Sequence, residues 1–526
     1  MLSTEERDEV CGMIETLRGE LDDLALRGLK TAGPDDLRTL DSLRDECVRI
    51  GAAHLAERTS TLVDAIRGND ASAGASLMRA QTSLRVFERV MTLDTVAEVL
   101  DVAAAHPADE AVDDDQEDEE DSDDEPADPK KAPLLKVAAA GAPVKPPPPP
   151  LTLEEGRKIV PTLDDLGRAV EDLVATGLTT ASQATRQKLD VSMKEALRLK
   201  LGRLGASLRF VNEETGRFLS QDAGFSPRRL AFFLNRSWIL ARGLSRAITT
   251  NDAAAFSRLL LAPATTPIKR LEVASLGTGK RIVRSTSTCA FEFRLRVLAD
   301  APPVAAGQRL VWSCLFSYNS SFPAEAFLHL PQPQKFLPRM FCEPNCLVIE
   351  KAAVALDDSG GGRLVLGPDS TVMSKGDDVP WDRYLDFDPA AAAARLRAHK
   401  PGPLDIEVEL QEEVVLKSWT LGKPAERPGR PDQIVYPLKT AALEFDAVVS
   451  TGDDGKELRE RLDAFRSAKA ARPPLFGLVH YELCRPIFQP LAVIDKEGPG
   501  HLMISGKQEF DPKTLADLTR AIMNKR

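Results

Sequence analysis

The chain has 526 residues, 43% hydrophobic and 28% charged, with a formal net charge of −12. The apolar fraction supports packed cores and excludes a wholly disordered chain, and the length predicts roughly three domains. Seven Cys exclude a disulfide-dense secreted scaffold, no run of about 18 apolar residues marks a membrane span, and the charged start MLSTEERDEV is not a signal peptide, so a cytoplasmic protein is expected.

Residues 1–103 read as a small antiparallel helical bundle. Ser3 and Glu6 have capping-box spacing, with Leu2 placed as a staple. Val10, Ile14, Leu17, Leu21 and Leu24 follow at steps of three and four, which is one face of an amphipathic helix. A turn at Gly33-Pro34 leads into a second helix through Leu37, Leu40, Leu43, Cys47 and Ile50, and a third covers 75–103. His54 falls in line with Cys47 and Ile50, which predicts a core histidine.

Residues 104–150 read as a disordered linker. Between Asp109 and Asp128 stand 14 acidic residues and no Lys or Arg, leaving 66 acids against 68 bases elsewhere. The acidity is therefore one self-repelling block rather than a property of the fold. Five prolines, Pro146 to Pro150, close the linker as a stiff polyproline II spacer.

After the linker the helical pattern returns. Compared without gaps, 2–55 and 151–204 are identical at fifteen positions, among them Leu17/Leu166, Gly28/Gly177, Leu29/Leu178, Leu40/Leu189 and Arg49/Arg198. Residues 151–265 are read as a second copy of the bundle. This copy is basic: from Arg186 to Arg246 there are 13 Lys and Arg against 5 Asp and Glu. Ser226-Pro227 opens a helix carrying Arg228, Arg229, Arg236, Arg242 and Arg246 beside Phe232, Phe233 and Trp238. Those arginines form either a face for nucleic acid or an acidic partner, or a solvated face with the aromatics in the core. A third reading has the acidic block folding back to mask them, an attraction that salt weakens.

From about residue 267 the period changes to two, and 266–526 reads as a large, mainly antiparallel β-rich α+β domain, or two subdomains joined near 380–400. Phe291, Phe293, Leu295 and Val297 alternate with Glu292, Arg294 and Arg296, and Leu404, Ile406, Val408 and Leu410 alternate with acids. A hairpin is expected at 353–366 and further strands at 476–483 and 491–495, with helices at 389–399, 455–470 and 514–524.

No complete catalytic motif stands out. GTGKR at 277–281 lacks the first Gly (Ala274) and the final hydroxyl (Arg281) of a phosphate loop, so a Gly-rich turn is expected. His329, Cys342 and Cys346 could supply three zinc ligands, although Pro344-Asn345 between the cysteines is enough to make a turn. His480, Glu482 and Cys484 would share one strand face, as an acid–base trio or simply as the outer side of a strand. Asp382, Asp386 and Asp388 could bind a cation, but Asp388-Pro389 also suits a helix cap. FSYNSSFPAEAFLHLP at 316–331 resembles β-rich parts of bacterial SWIM zinc-finger proteins, yet the Cys-x-Cys and Cys-x-His ligands of that finger are absent, so the resemblance implies no site.

The expected architecture is multidomain α+β: a helical bundle, an acidic and Pro-rich tether, a second bundle and a β-rich domain. Tethered duplicate modules without a catalytic motif point to a non-catalytic scaffold that binds protein partners, with no cofactor and no membrane contact. The alternatives are an enzyme with its site in the β-rich domain and nucleic-acid binding by 186–246. Nothing in the residues identifies a partner or an oligomeric state.

Overall fold

The computed structural model describes residues 4–105, 151–178, 183–222, 225–260, 265–283, 288–318, 321–332, 334–356, 361–376, 379–385, 387–400, 402–404, 411–427, 430–440, 444–468, 472–482, 485–505 and 510–523. It is a mixed α+β protein, helical in its N-terminal half and β-rich in its C-terminal half. Leu2 and Ser3 of the expected cap, and most of the linker, lie outside the described residues.

The first helical segment holds α1 (Thr4–Arg27), α2 (Pro34–Arg49), α3 (Ala53–Arg67) and α4 (Ala73–Ala105). The sequence predicted three helices here; there are four. Gly51 at φ +77 ends α2 and resets the helical phase before α3 begins. His54 therefore leaves the apolar seam: its side chain is 65% exposed, with Nδ1 3.8 Å from Glu57. The second segment holds α5 (Leu153–Gly156), α6 (Val160–Thr176), α7 (Gln183–Arg198), α8 (Gly202–Leu219), α9 (Pro227–Thr249) and α10 (Ala253–Leu260).

The two segments share one core. Leu17, Leu21 and Leu24 of α1 and Leu77, Met78 and Leu84 of α4 pack with Val170, Leu173 and Val174 of α6 and Leu230, Leu234 and Trp238 of α9. Either segment alone would leave these faces in water, at about 25 cal/mol for each Å² of apolar surface. The expected picture of a tethered, independent N-terminal module is thereby corrected: the first segment is part of the same body.

The segments meet backbone to backbone at two glycines. Gly28 follows α1 at φ +94, ψ 134, and Gly177 follows α6 at φ +77, ψ 166. A Cβ on Gly28 would stand 2.5 Å from the carbonyl carbon of Thr176, and one on Gly177 would stand 2.2 Å from the carbonyl oxygen of Arg27.

In the β-rich half, β1 (Thr266–Val283), β2 (Thr288–Val297), β3 (Arg309–Ser317), β4 (Leu347–Leu356) and β5 (Gly362–Ser374) close a barrel in the order β1-β2-β3-β5-β4. All neighbours are antiparallel except β3 and β5. This is the order of a five-stranded Greek-key barrel. Phe291, Phe293, Trp312, Phe327 and Phe341 fill its interior. The second sheet contains β6 (Glu412–Leu416), β7 (Thr420–Leu421), β8 (Ala425–Arg427), β9 (Arg430–Lys439), β10 (Glu444–Ser450), β11 (Leu475–Glu482), β12 (Arg485–Asp495) and β13 (Gly498–His501). Its path runs β6-β11-β12-β10-β9-β7. If β6 and β7 are the two ends of one bent strand, this order repeats that of the barrel. Helices α11 (Pro389–Ala398), α12 (Lys456–Ser467) and α13 (Pro512–Met523) complete the half. Of the strand expected at 404–410, only Leu404 is described, at the edge of the helical core.

GTGKR is a strand, not a turn. Gly277 to Arg281 belong to β1 and pair with Arg294 to Ala290 of β2 across a bulge between Ser275 and Gly277. Phe476 and Leu491 of the second sheet press on Gly277, where a Cβ would come within 2.8 Å of the Phe476 ring. Lys280 is buried and ion-paired to Glu325 at 2.6 Å, so it is committed to the barrel.

The two interface glycines give a direct test of the shared core. Backbone of this type is close to glycine-only, and a side chain there costs about 1–3 kcal/mol before any clash. We predict that Gly28→Ala and Gly177→Ala each lower the unfolding free energy measured in urea by at least that amount. Gly51→Ala, with nothing within 4 Å of its added Cβ, should lower it less. Equal shifts in all three would show that the segments are not held at this contact.

Candidate functional site

The basic helix α9 is the first candidate. Ser226 caps it, its Oγ accepting from the Arg229 backbone at 3.3 Å. Glu214 of α8, fully buried, binds Arg217 and accepts from Arg229 Nε at 2.8 Å. Glu171 of α6 accepts from Trp238 Nε1 at 2.6 Å and holds the Arg242 guanidinium with both oxygens, at 2.9 and 3.0 Å. Arg236 donates to the Leu404 carbonyl at 2.8 Å. Three of the five arginines singled out in the sequence thus hold the protein together, while Arg228 and Arg246 are exposed. Beneath them Asp22 is pushed up to about 6 by burial, against the pull of Arg85, Arg18 and Arg228. Of the two sequence readings of this helix, the one that put Trp238 in the core matches its place, with its indole N–H satisfied by Glu171.

The weaker candidates disperse. His329 is half-buried, edge-on to Phe510 at 5.3 Å. Cys342 lies in the barrel core, 4.0 Å from the Thr278 hydroxyl, and burial pushes its thiol up to about 12. Cys346 belongs to the core of the second sheet. Among the described residues no group of three His, Cys, Asp or Glu is arranged to hold a metal. His480 is half-buried on β11 opposite Ile487, after two buried neighbours, Leu478 and Val479. Glu482 ends β11, and Cys484 lies outside the described residues. Asp388 caps α11, accepting from the Ala391 N–H at 3.0 Å, while Asp386 is outside the described residues.

The densest charge in the β-rich half is a group the sequence reading passed over. Glu292, Arg294 and Arg296 on the outer face of β2, and Arg309 on β3, meet Glu412 and Glu413 of β6 and Arg395 of α11. Arg296 reaches Glu413 at 2.5 Å and Arg395 reaches Glu412 at 2.6 Å. Arg309 also pairs with Glu412, and Arg294 with Glu292. The side chains of Glu412, Glu413 and Arg294 are 5%, 4% and 7% exposed. Burial alone would raise the Glu413 carboxyl, but Arg296, Arg294 and Arg309 outweigh it and hold the pKa below the usual range. A cavity of about 110 Å³ opens on one side of Glu413 and another of about 350 Å³ on the other. The clue in the sequence was RLR on one strand and QEE before another, an opposite-charge match that spacing cannot pair.

No family model and no curated protein matches the chain. Solved structures similar to it include a study of structural mimicry for functional antagonism, at 12% identity over 44% of this chain and 92% of that one, with a TM-score of 0.19. The Ifi202 HINa domain in complex with 20bp dsDNA is 12% identical over 43% of this chain and 94% of its own, at 0.20. A murine DNA binding protein bound with ds DNA is 10% identical over 46% and 100%, at 0.19. Likeness at that level carries no argument about this chain. Among the described residues no helix is long and apolar enough to cross a membrane.

Two outcomes follow from the buried charges. Glu413→Ala takes the carboxylate partner from Arg296, leaving Arg294 its pair with Glu292, and should cost about 3–5 kcal/mol in chemical denaturation, as for other broken buried pairs. A loss under 1 kcal/mol would mean the group is effectively solvated. His501, buried on β13 with neither ring nitrogen hydrogen-bonded, is lowered from 6.5 to about 3 by burial, with Arg339 and Arg461 adding to it. The unfolded chain takes this proton first, so the stability is whole above pH 6.5 and falls as pH drops toward 3. Asp22 works the opposite way below about pH 6, so the test is a difference between proteins. Between pH 6.5 and 5, His501→Leu should lose less stability than the wild type, by up to about 1.4 kcal/mol per pH unit. Parallel profiles would remove His501 as the cause.

Proposed function

We propose that the chain is a non-catalytic protein-interaction protein whose helical half is internally duplicated and presents two equivalent docking positions. Element bounds support the duplication. A shift of 149 residues carries Pro34–Arg49 onto Gln183–Arg198 and the start of α3 at Ala53 onto the start of α8 at Gly202. It carries Gly28 onto Gly177, and Gly51 at φ +77 onto Lys200 at φ +63. The contacts are reciprocal as well: α1 packs on α9, and α6 on α4.

One observation carries the docking reading. Val48 and Leu197 occupy the same position of the two copies, in the last turns of α2 and α7, and are 61% and 52% exposed. A single exposed apolar residue is ordinary. The same position is left apolar and mostly exposed in two diverged copies, although one edge of Leu197 lies against Gly205 of α8, and Val191, 65% exposed, adds to the second. Nucleic-acid binding by 186–246 has less support, because Arg217, Arg229, Arg236 and Arg242 find their acceptors inside the protein. An enzyme site at 480–484 rests on one described side chain, His480.

The experiment is affinity capture with wild-type protein, Val48→Asp, Leu197→Asp and the double variant. Each single variant should retain less of a stoichiometric protein partner and the double variant none, with thermal unfolding unchanged in Val48→Asp, whose side chain is 61% exposed. Undiminished capture by the double variant ends the reading.

A further inference from the structure

We propose that the cavity beside Glu412 is a binding site for a phosphate-sized oxyanion. The cavity lies where the barrel's β2–β3 face, α11 and β6 meet, and its volume of about 110 Å³ accommodates a phosphoryl group. Arg294, Arg309, Arg363 and Arg395 line it, against Glu412 and Glu413. Adding the remaining members of the network, Arg296 and Glu292, leaves five arginines facing three glutamates. Apart from Arg363, which is exposed, these arginines are partly to fully buried, where an uncompensated charge is costly. A dianion balances the excess of two.

Unspent donors point the same way. Arg363 is exposed at the mouth and has no acceptor among the described residues. The Nε of Arg395 is buried and makes no hydrogen bond, because that guanidinium reaches Glu412 through Nη2 alone. A planar guanidinium with a free edge matches a phosphate oxygen pair, which an ammonium would not. Leu93 and Leu396 add apolar surface to the lining.

Two sources supply this chemistry: free inorganic phosphate, or the terminal phosphate of a small organic ester. The test is thermal unfolding and calorimetric titration of the full-length protein with sodium phosphate, glycerol 3-phosphate and sodium chloride at matched ionic strength. Phosphate should raise the melting temperature beyond the chloride control and bind at one site. Arg363→Glu should weaken that binding at least tenfold while melting in chloride as the wild type does. If glycerol 3-phosphate binds comparably, the site reads the phosphoryl group of an ester; if only inorganic phosphate binds, the free ion is the ligand. A phosphate shift equal to that of chloride, or one retained in Arg363→Glu, overturns the proposal.

Discussion

One helix couples the two halves of the molecule. Helix α4 runs 33 residues, from Ala73 to Ala105, which at 1.5 Å per residue is about 50 Å. Its first turns bury Leu77, Met78 and Leu84 in the helical core. Its last turns bury Leu93, Val96, Ala97 and Leu100 in the core of the second sheet. Arg89, between these stretches, donates to the Gly402 carbonyl at 2.6 Å. A rod shared by two cores ties the helical half to α11 and the second sheet, while the second sheet packs directly on the barrel through Phe476 and Leu491 against Gly277.

Charge is handled by internal pairing throughout. The basic helix α9 spends Arg229, Arg236 and Arg242 on Glu214, the Leu404 carbonyl and Glu171. The barrel spends Arg296 and Arg309 on Glu413 and Glu412. Such pairs are weak evidence of net stability, because desolvation offsets much of the attraction. They are strong constraints on geometry, since a displaced partner leaves a buried charge alone. This pairing removes Arg217, Arg229, Arg236 and Arg242 from the open basic surface of residues 186–246, while Arg228 and Arg246 stay exposed.

Local pattern was legible where it had a period. The 3.6-residue repeat of α1 and the alternation of β2 both appear where the sequence placed them, and the Asp388 cap does as well. Failures came from backbone and from distance. Gly51 in a left-handed conformation restarts the helical phase, and a seam drawn straight through it put His54 on the wrong side. Gly277 looked like a turn signal, but the glycine is there because Phe476 packs against the strand. The Arg–Glu group joins residues more than a hundred positions apart, and no spacing rule pairs Arg294 with Glu413. The contact between Gly28 and Gly177 was half visible, as an identity between copies whose cause is a meeting of backbones.

The shared core changes what the connection at 106–150 contributes. Helices on both sides of it, α1 and α4 before and α6 and α9 after, bury the same cluster of side chains. Peptide continuity is then not what keeps the N-terminal helices in place. A chain cleaved anywhere in that stretch would stay a two-piece complex until its core unfolds.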